Sequence, residues 1–172
     1  DSGSLKNCYT NGSVTAPYRP VDGLVGQFPS TISVTNTYYP GDVPSAIAAA
    51  TAITRDEFKQ MGTYAGFDFD SEWTWNSQVD RALLQDNPQP VYSLAFSSPD
   101  ATMLGEYKTH YVSGWGNNLP VPTDGPTMNL FRGWCETAQM TDQPISVLPL
   151  NASGDKVFYG KWTPQQYTVS FN

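Results

Sequence analysis

Three carboxylates at alternate positions are the clearest candidate for a chemical site in the sequence. Asp68, Asp70 and Glu72 occupy every second position between Phe67 and Trp73, and the other positions are Phe69 and Ser71. If this segment is a strand, its period of two places the carboxylates on one face, where they could bind Ca²⁺ or provide the acid and base of a glycosidase. However, an EF-hand loop also needs a glycine and a glutamate at its twelfth position, and a glycosidase needs carboxylates that oppose each other across a cleft. We therefore favour a solvated face opposite a buried aromatic face.

Aromatic residues offer a second candidate, a platform for binding sugars. Trp115 lies near Tyr107 and Tyr111 in the sequence, and aromatic faces suit the apolar faces of sugar rings. Such residues are more often part of a core. His110 is the only histidine, so a Ser-His-Asp triad, a Cys-His dyad or a histidine metal cluster would all depend on it. We expect His110 to be an ordinary strand residue.

The two cysteines, Cys8 and Cys135, are too few for a disulfide framework or for a zinc site built from thiolates. We expect two free, buried thiols. A bridge between them is the alternative, and it would require two modules to dock face to face. These residue types predict a chain that is not an enzyme, with no catalytic, cofactor-binding or metal-binding residues and with its ligand-binding residues unassigned.

Composition points to a folded, β-rich, extracellular protein. Of the 172 residues only 15% are charged, whereas 13% are aromatic, including 10 Tyr and 5 Trp. The net charge of -7 would repel nucleic-acid phosphates and anionic lipid headgroups, so we expect neither as a partner. No run of about 18 apolar residues is present to span a membrane. We expect a soluble chain without membrane insertion, whose export signal, if it has one, lies outside this segment.

Two internal repeats organise the chain. Residues 7–14 can be laid on residues 36–43 at an offset of 29, sharing Asn, Tyr, Gly and Val at four of eight positions, and periods of about 20–50 residues are typical of solenoids. Residues 92–97 match residues 167–172 in pattern, with Tyr and Phe identical at an offset of 75. That longer period suits a small domain used in tandem, so residues 164–172 would begin another copy in a longer multi-module protein.

The remaining elements follow from local signals. The capping box that joins Thr54 to Glu57 predicts a short helix ending at Gly62, and the alternation over 67–73 predicts a strand. The polar, proline-punctuated segment 85–90 is the best linker. Further strands are predicted after the linker, at 92–96, 105–112, 131–135 and 156–162.

The first half of the chain resembles the GLUG motif of bacterial surface proteins. Residues 5–14 are similar to its Asn-Cys-Tyr-Ala-Thr-Gly run, and residues 22–26 to its Gly-Gly-Leu-Val-Gly run. Thr10 and Asn11 replace Ala-Thr, and Asp22 replaces the first glycine of the second run. The resemblance implies a parallel β-helix, and GLUG regions occur in adhesin-like proteins and in non-catalytic parts of some bacterial immunoglobulin A peptidases.

The end of this first half also resembles the usual end of a GLUG region. Residues 54–73 combine a short helix with a Gly-Trp-Asp-Phe-Asp strand, in which Phe67 stands in place of the tryptophan. The resemblance implies that this segment is the closing cap of a β-helix.

The second half is similar to the Listeria-Bacteroides repeat, the B-repeat module of internalin B. Residues 119–123, 131–135 and 154–163 follow the order of that family, including its Gly-Trp and Lys-Trp-Thr signatures. Cys135 replaces the usual tyrosine after Gly-Trp, and residues 98–100 replace the usual Asn-Gly-Gly turn. The resemblance implies a β-grasp-like domain whose first hairpin could differ, and it carries no catalytic residues.

The expected architecture is mainly β, with the end of a parallel β-helix and a short helix followed by a small β-grasp-like domain. The boundaries are 1–86 for the GLUG-type part, 87–90 for the linker, 91–163 for the repeat and 164–172 for the start of another repeat. The expected function is a non-catalytic adhesin or spacer segment on a bacterial cell surface, attached to wall or membrane through regions outside this segment. It would act without a cofactor, and its partners would be a host or extracellular protein or glycan and further repeats of the parent chain.

Two other functions remain open. The segment could be a non-catalytic portion of a surface peptidase of the immunoglobulin A peptidase type, in which case a His-Glu-x-x-His helix would lie elsewhere in the parent chain. Less favoured is a polysaccharide-acting enzyme on a β-helix, which would need opposed carboxylates in a groove.

Overall fold

The computed structural model describes residues 3–12, 24, 32–43, 45, 47–98, 101–103 and 107–168. The chain divides into two compact units, Asp1–Pro88 and Gln89–Asn172, and the division falls inside the segment proposed as a linker. Both units are mainly β, as the sequence predicts.

The first unit contains a parallel sheet and a hairpin. The sheet has the order β1-β2-β3, with both pairs parallel, and the hairpin joins β4 and β5 in antiparallel register. The strands are β1 (Gly3–Tyr9), β2 (Ile32–Pro40), β3 (Thr51–Ile53), β4 (Trp73–Asn76) and β5 (Arg81–Leu84).

The pairing of β1 with β2 follows the 29-residue offset found in the sequence. Gly3 pairs with Ile32 and Tyr9 with Tyr38, which is the same offset at both ends of the ladder. The offset is therefore confirmed as the register of this pair. It does not extend to β3, because Tyr38 pairs with Thr51, only 13 positions further along. The run at residues 22–26 that resembles the Gly-Gly-Leu-Val-Gly part of the GLUG motif lies outside the described residues, except for Leu24.

Two asparagines at equivalent positions of the repeat are bonded to each other. Asn7 and Asn36 both have a left-handed backbone, with φ of 51° and 46°, a region that asparagine tolerates better than most residues. Asn36 Nδ2 donates to Asn7 Oδ1 at 3.0 Å. Gly66, with φ of 83°, lies over this amide pair so closely that a Cβ at its position would stand 1.9 Å from Asn36 Nδ2.

The capping box forms as predicted, but the helix that follows is much shorter. Thr54 N donates to Glu57 Oε2 at 2.7 Å and Glu57 N donates to Thr54 Oγ1 at 3.2 Å. The chain then makes two 3₁₀ turns, Glu57–Lys59 and Met61–Thr63, instead of one helix to Gly62. Gln60 between them has an extended backbone (φ -118°, ψ 119°), which interrupts helical hydrogen bonding after a single turn.

The strand predicted at 67–73 is also wrong, because the segment is a turn until β4 begins at Trp73. Asp68 Oδ1 accepts from the backbone N–H groups of Asp70 at 2.9 Å and Ser71 at 3.0 Å, and Asp68 O accepts from Trp73 N at 2.8 Å. An aspartate that bonds to its own following backbone offers the chain an alternative to the strand ladder. The alternating pattern therefore indicates which side chains are buried, but it does not indicate a strand.

The second unit is built on a four-stranded mixed sheet. Its order is β11-β13-β6-β8, in which β13 and β6 are parallel and the outer pairs are antiparallel. Two short antiparallel ladders, β7 with β10 and β9 with β12, accompany it. The strands are β6 (Val91–Ser97), β7 (Thr102–Met103), β8 (His110–Val112), β9 (Asn117–Asn118), β10 (Pro122–Asp124), β11 (Asn129–Cys135), β12 (Val147–Leu148) and β13 (Lys156–Pro164).

Three of the strands predicted for this unit are confirmed, at 92–96, 131–135 and 156–162. The strand predicted at 105–112 is shorter, because only His110–Val112 pairs with β6, and residues 104–106 lie outside the described part. The proposed further copy at 167–172 is described only as far as residue 168.

We predict that Gly66→Ala destabilises the first unit. The left-handed backbone and the approach to Asn36 should together lower the free energy of unfolding by about 1–3 kcal/mol. Urea unfolding followed by tryptophan fluorescence measures the change. Gly62→Ala is the matched control, because a Cβ there meets no atom within 4 Å. Equal effects of the two substitutions would contradict the assigned role of Gly66.

We also predict an acid-sensitive loop after β11. The Asp142 carboxylate accepts hydrogen bonds from the Thr137 hydroxyl and from Glu136 N, and chiefly the Thr137 bond lowers the pKa of Asp142 to about 2. Because an unfolded aspartate has a pKa of about 3.9, this contribution is present above pH 4 and is lost as the pH falls through 2. Asp142→Asn should flatten the stability profile of urea midpoints between pH 4 and pH 2. Thr137→Val, which removes the hydroxyl that chiefly lowers the pKa of Asp142, should flatten it as well. An unchanged profile in both variants would contradict the assignment.

Candidate functional site

The three candidate carboxylates do not form a site. Asp68, Asp70 and Glu72 are exposed and lie on a turn, not on one face of a strand. Hydrogen bonds from Ser71, the hydroxyl first, lower the pKa of Asp68. Its oxygens are thus occupied by its own loop. Among the described residues no group of three His, Cys, Asp or Glu side chains could hold a metal ion.

A serine, a histidine and an aspartate do meet in the second unit, in a way that the sequence did not predict. Ser93 on β6 is directly opposite His110 on β8, and Asp155 Oδ1 accepts from Ser93 N at 2.8 Å. This bond is the main reason that the pKa of Asp155 is lowered, with the charge of His110 as a smaller cause. His110 Nδ1 lies 3.0 Å from Thr109 Oγ1.

The order of these contacts differs from that of a catalytic triad. In a triad the imidazole stands between the nucleophile and the carboxylate, whereas here Asp155 holds the main chain of Ser93. The bond from Ser93 N to Asp155 therefore connects β6 to the residue that directly precedes β13. It depends on strand register, so residue spacing alone gives no signal for it.

Both cysteines are free thiols, as predicted, although only Cys135 is fully buried and Cys8 is half-buried. Desolvation by burial raises the pKa of each thiol. Because the thiolate is the reactive form, neither residue is prepared for nucleophilic chemistry.

The aromatic platform proposed from Trp115, Tyr107 and Tyr111 is divided in the structure. Tyr111 is 1% exposed and its hydroxyl donates to Gly154 O at 2.7 Å, so it belongs to the core. Trp115 is half-buried. Tyr107 is 40% exposed and packs edge-to-face on Phe96, with ring centroids 5.3 Å apart. Tyr107, unlike Tyr111 and Trp115, lines the groove that is described next.

The cavity is an open groove of about 340 Å³ in the second unit. Its apolar lining consists of Leu94, Phe96, Leu119, Pro120 and Val121, and its polar lining of Tyr107, Lys108, Asn117 and Asn118. An apolar pocket with a few convergent polar groups is the usual form of a binding site. The arrangement suits non-covalent binding of a ligand that has both apolar and hydrogen-bonding surfaces.

The core of the second unit positions one wall of this groove. Trp134 is completely buried, and its indole N–H donates to Pro120 O at 2.7 Å. Its ring packs against Phe96, with centroids 4.8 Å apart. Next to this contact, Leu119 N donates to Ser146 O at 2.9 Å. The segment 117–121 is therefore held by both a side-chain bond and a strand ladder.

The groove was not predicted from the sequence. Its lining comes from three separate segments, and only the residue types at 117–121, two carboxamides followed by two apolar residues and one proline, gave a local signal. Nothing in that signal indicates a cavity until the pairing of β9 with β12 and the bond from Trp134 are known.

We predict that Trp134→Phe loosens the groove wall. The substitution removes the indole donor and leaves Pro120 O without its partner, which should lower the free energy of unfolding by about 1–3 kcal/mol. Hydrogen exchange at 117–121 should also become faster. Trp162→Phe is the control, because its indole N–H donates to the Ser98 hydroxyl, away from this segment. Unchanged exchange at 117–121 in Trp134→Phe would contradict the assignment.

Comparison with known proteins gives one partial likeness. No family model and no solved structure matches the chain. Over 81 residues the chain is 30% identical to a protein of Evansella cellulosilytica described as "Putative Gly-rich membrane protein". The match covers 47% of this chain and 9% of that protein. Within the part that the structure describes, no helix is long and apolar enough to cross a membrane. The chain is thus similar to a small part of a much longer protein.

Proposed function

We propose that this chain is a non-catalytic binding segment of an exported bacterial surface protein. In this proposal, the first unit closes a GLUG-type β-helix, and the second is a β-grasp-like module of the Listeria-Bacteroides repeat type. Its partners are a host or extracellular protein or glycan, and it carries no membrane-inserted part of its own. The same architecture would allow the segment to act as a spacer that presents other domains.

The register of β1 and β2 supports the β-helix part of the proposal. Parallel strands related by one constant period, with equivalent side chains stacked in a ladder, are how a solenoid buries its interior. The register of β1 and β2 and the bond between Asn7 and Asn36 have this form over one period of 29 residues, and the next parallel pair, β2 with β3, continues the stack at an offset of 13. Gly66 approaches the Asn36 carboxamide so closely that no side chain fits between them. We take this contact as the end of the stack.

The strand order of the second unit supports the β-grasp part. A β-grasp sheet has two parallel central strands, each flanked by an antiparallel neighbour, and the order β11-β13-β6-β8 has this arrangement. In the segment between β8 and β11, where a β-grasp domain commonly has its helix, this chain has the short strands β9 and β10.

The groove is the observation that carries the binding function. Its lining combines apolar residues with the polar residues Tyr107, Lys108, Asn117 and Asn118. The partial likeness to a protein described as a membrane protein accords with a place at the cell surface.

Binding of the full chain to an array of extracellular-matrix proteins and glycans tests this function. We expect saturable binding that Tyr107→Ala weakens at least tenfold, because Tyr107 is an exposed aromatic side chain in the groove. Tyr167→Ala is the matched control, since Tyr167 is also exposed (67%) but is not part of the groove lining. If the chain binds nothing on the array, the binding function is wrong and the spacer role is favoured.

A further inference from the structure

We propose that the outer edge of β1, the edge that faces away from β2, binds one further parallel strand whose sequence contains Asn-x-Tyr. The partner is an extended peptide segment that adds to the sheet through its main chain and is selected by its asparagine. This inference rests on the β-helix part of the proposed function, for which it names a partner, and it does not depend on the groove.

The strand β1 lies at the edge of its sheet. Among the described residues only β2 pairs with it, whereas β2 itself lies between β1 and β3. In a parallel ladder, alternate residues direct their N–H and C=O groups to opposite sides of the strand. Main-chain groups of β1 therefore point away from β2, and a row of such groups is a template for a further strand.

Equivalent residues are more exposed in β1 than in β2. Cys8 is half-buried, whereas its partner Thr37 is 1% exposed. Tyr9 is also half-buried, whereas its partner Tyr38 is 7% exposed. Because β2 has a strand on each side and β1 has one, the difference indicates that the outer side of β1 can accept a further layer.

The two bonded asparagines give this edge its selectivity. Asn36 Nδ2 donates to Asn7 Oδ1 at 3.0 Å, and none of the described residues accepts a hydrogen bond from Asn7 Nδ2. A carboxamide one strand further out can accept from this donor, because parallel strands in register stack equivalent side chains into ladders. Gly66 lies against the Asn36 carboxamide, so the row of amides can continue only past Asn7.

The register favours a separate peptide over a second folded copy of this chain. To stack its asparagine on Asn7, the added strand must lie on β1 as β1 lies on β2. It then bonds through the groups that correspond to those that β1 uses for β2, because alternate residues serve the two edges. In a folded copy those groups of β1 and both edges of β2 are already paired. An unstructured segment has both edges available.

Titration of the full chain with a peptide of the β2 sequence tests the proposal. The probe is the blocked, fluorescently labelled peptide of residues 32–40, ISVTNTYYP, followed by anisotropy. We expect saturable binding of one peptide per chain. The substitution Asn36→Leu in the peptide should weaken binding about tenfold, because it removes the acceptor for Asn7. Thr35→Ala in the peptide is the matched control, because Thr35 is exposed in β2, and it should leave the affinity unchanged.

Two N-methylated peptides identify the mode of binding. One is methylated on the amides of Val34 and Asn36, and the other on the amides of Thr35 and Thr37. Only one alternate set of amides faces the edge of a neighbouring strand. One peptide should therefore lose measurable binding while the other keeps it, whereas a peptide that binds through its side chains alone would tolerate both changes.

A matched pair of substitutions in the chain addresses the edge itself. Asn7→Gly removes the carboxamide but keeps a residue that tolerates φ of 51°, and it should weaken peptide binding about tenfold. Lys6→Gln, at the exposed neighbouring position of β1, should leave the affinity unchanged. Thermal unfolding midpoints confirm that both variants fold, and the peptide variants test the proposal in the unsubstituted chain whatever Asn7→Gly does to stability.

Four results would overturn the proposal: no saturable binding of the peptide, equal affinity for its Asn36→Leu variant, the same response to both N-methylated peptides, or an affinity that a folded Asn7→Gly chain retains. Failure of the proposed function is a separate outcome. If the chain binds a matrix component on the array but no peptide, the binding function stands and only strand addition is wrong. If it binds the peptide but nothing on the array, strand addition stands and the binding function of the groove is wrong.

Discussion

The hydrogen bond from the Trp134 indole to Pro120 O fixes the organisation of the second unit. Trp134 is completely buried, and a buried donor without a partner would cost about 1–3 kcal/mol. The bond therefore requires the segment 117–121 to pass over the ring at one position. The backbone of Trp134 is paired as well, because it exchanges two hydrogen bonds with Ile145. Trp134 thus connects the four-stranded sheet both to Ile145, which precedes β12, and to the groove wall at Pro120.

The first unit depends on a comparable constraint at its asparagine pair. Asn7 and Asn36 each turn the backbone through the left-handed region, so their carboxamides leave β1 and β2 at the same height and can bond to each other. Because the pair fixes the register, the neighbouring residues Tyr9 and Tyr38 are also stacked at one level. They pack around Tyr64 there, with ring centroids 5.4 and 6.1 Å from it. Register and core are therefore set by the same residues.

How much of this could be predicted from sequence differs between local and long-range features. The capping box at Thr54 and the alternating strands at 131–135 and 156–162 depend on near neighbours, and they were predicted correctly. The strand at 67–73 was predicted wrongly, because the carboxylate of Asp68 accepts hydrogen bonds from backbone N–H groups that a strand ladder would use. The alternation of hydrophobic residues gives no information about such bonds. The approach of Asp155 to Ser93 and the groove both require pairing between distant segments.

The aromatic composition, which suggested a sugar platform, has its explanation in these long-range contacts. Small β units with many loops leave backbone carbonyls without ladder partners, and each buried carbonyl needs a donor. A tyrosine or tryptophan contributes apolar area to the core and one polar group at its tip.

Among the described residues, five such tips donate to carbonyls: Tyr9 to Ala82, Tyr38 to Ala65, Tyr64 to Phe58, Tyr111 to Gly154 and Trp134 to Pro120. Burial raises the pKa of Tyr64 to about 12 and also raises the pKa of Tyr9 and Tyr111, so these hydroxyls remain protonated donors at neutral pH. In a chain with only 15% charged residues, neutral aromatic donors thus satisfy several backbone carbonyls. Tyr107, by contrast, is 40% exposed and lines the groove, so exposure, more than residue type, distinguishes this aromatic residue from the structural ones.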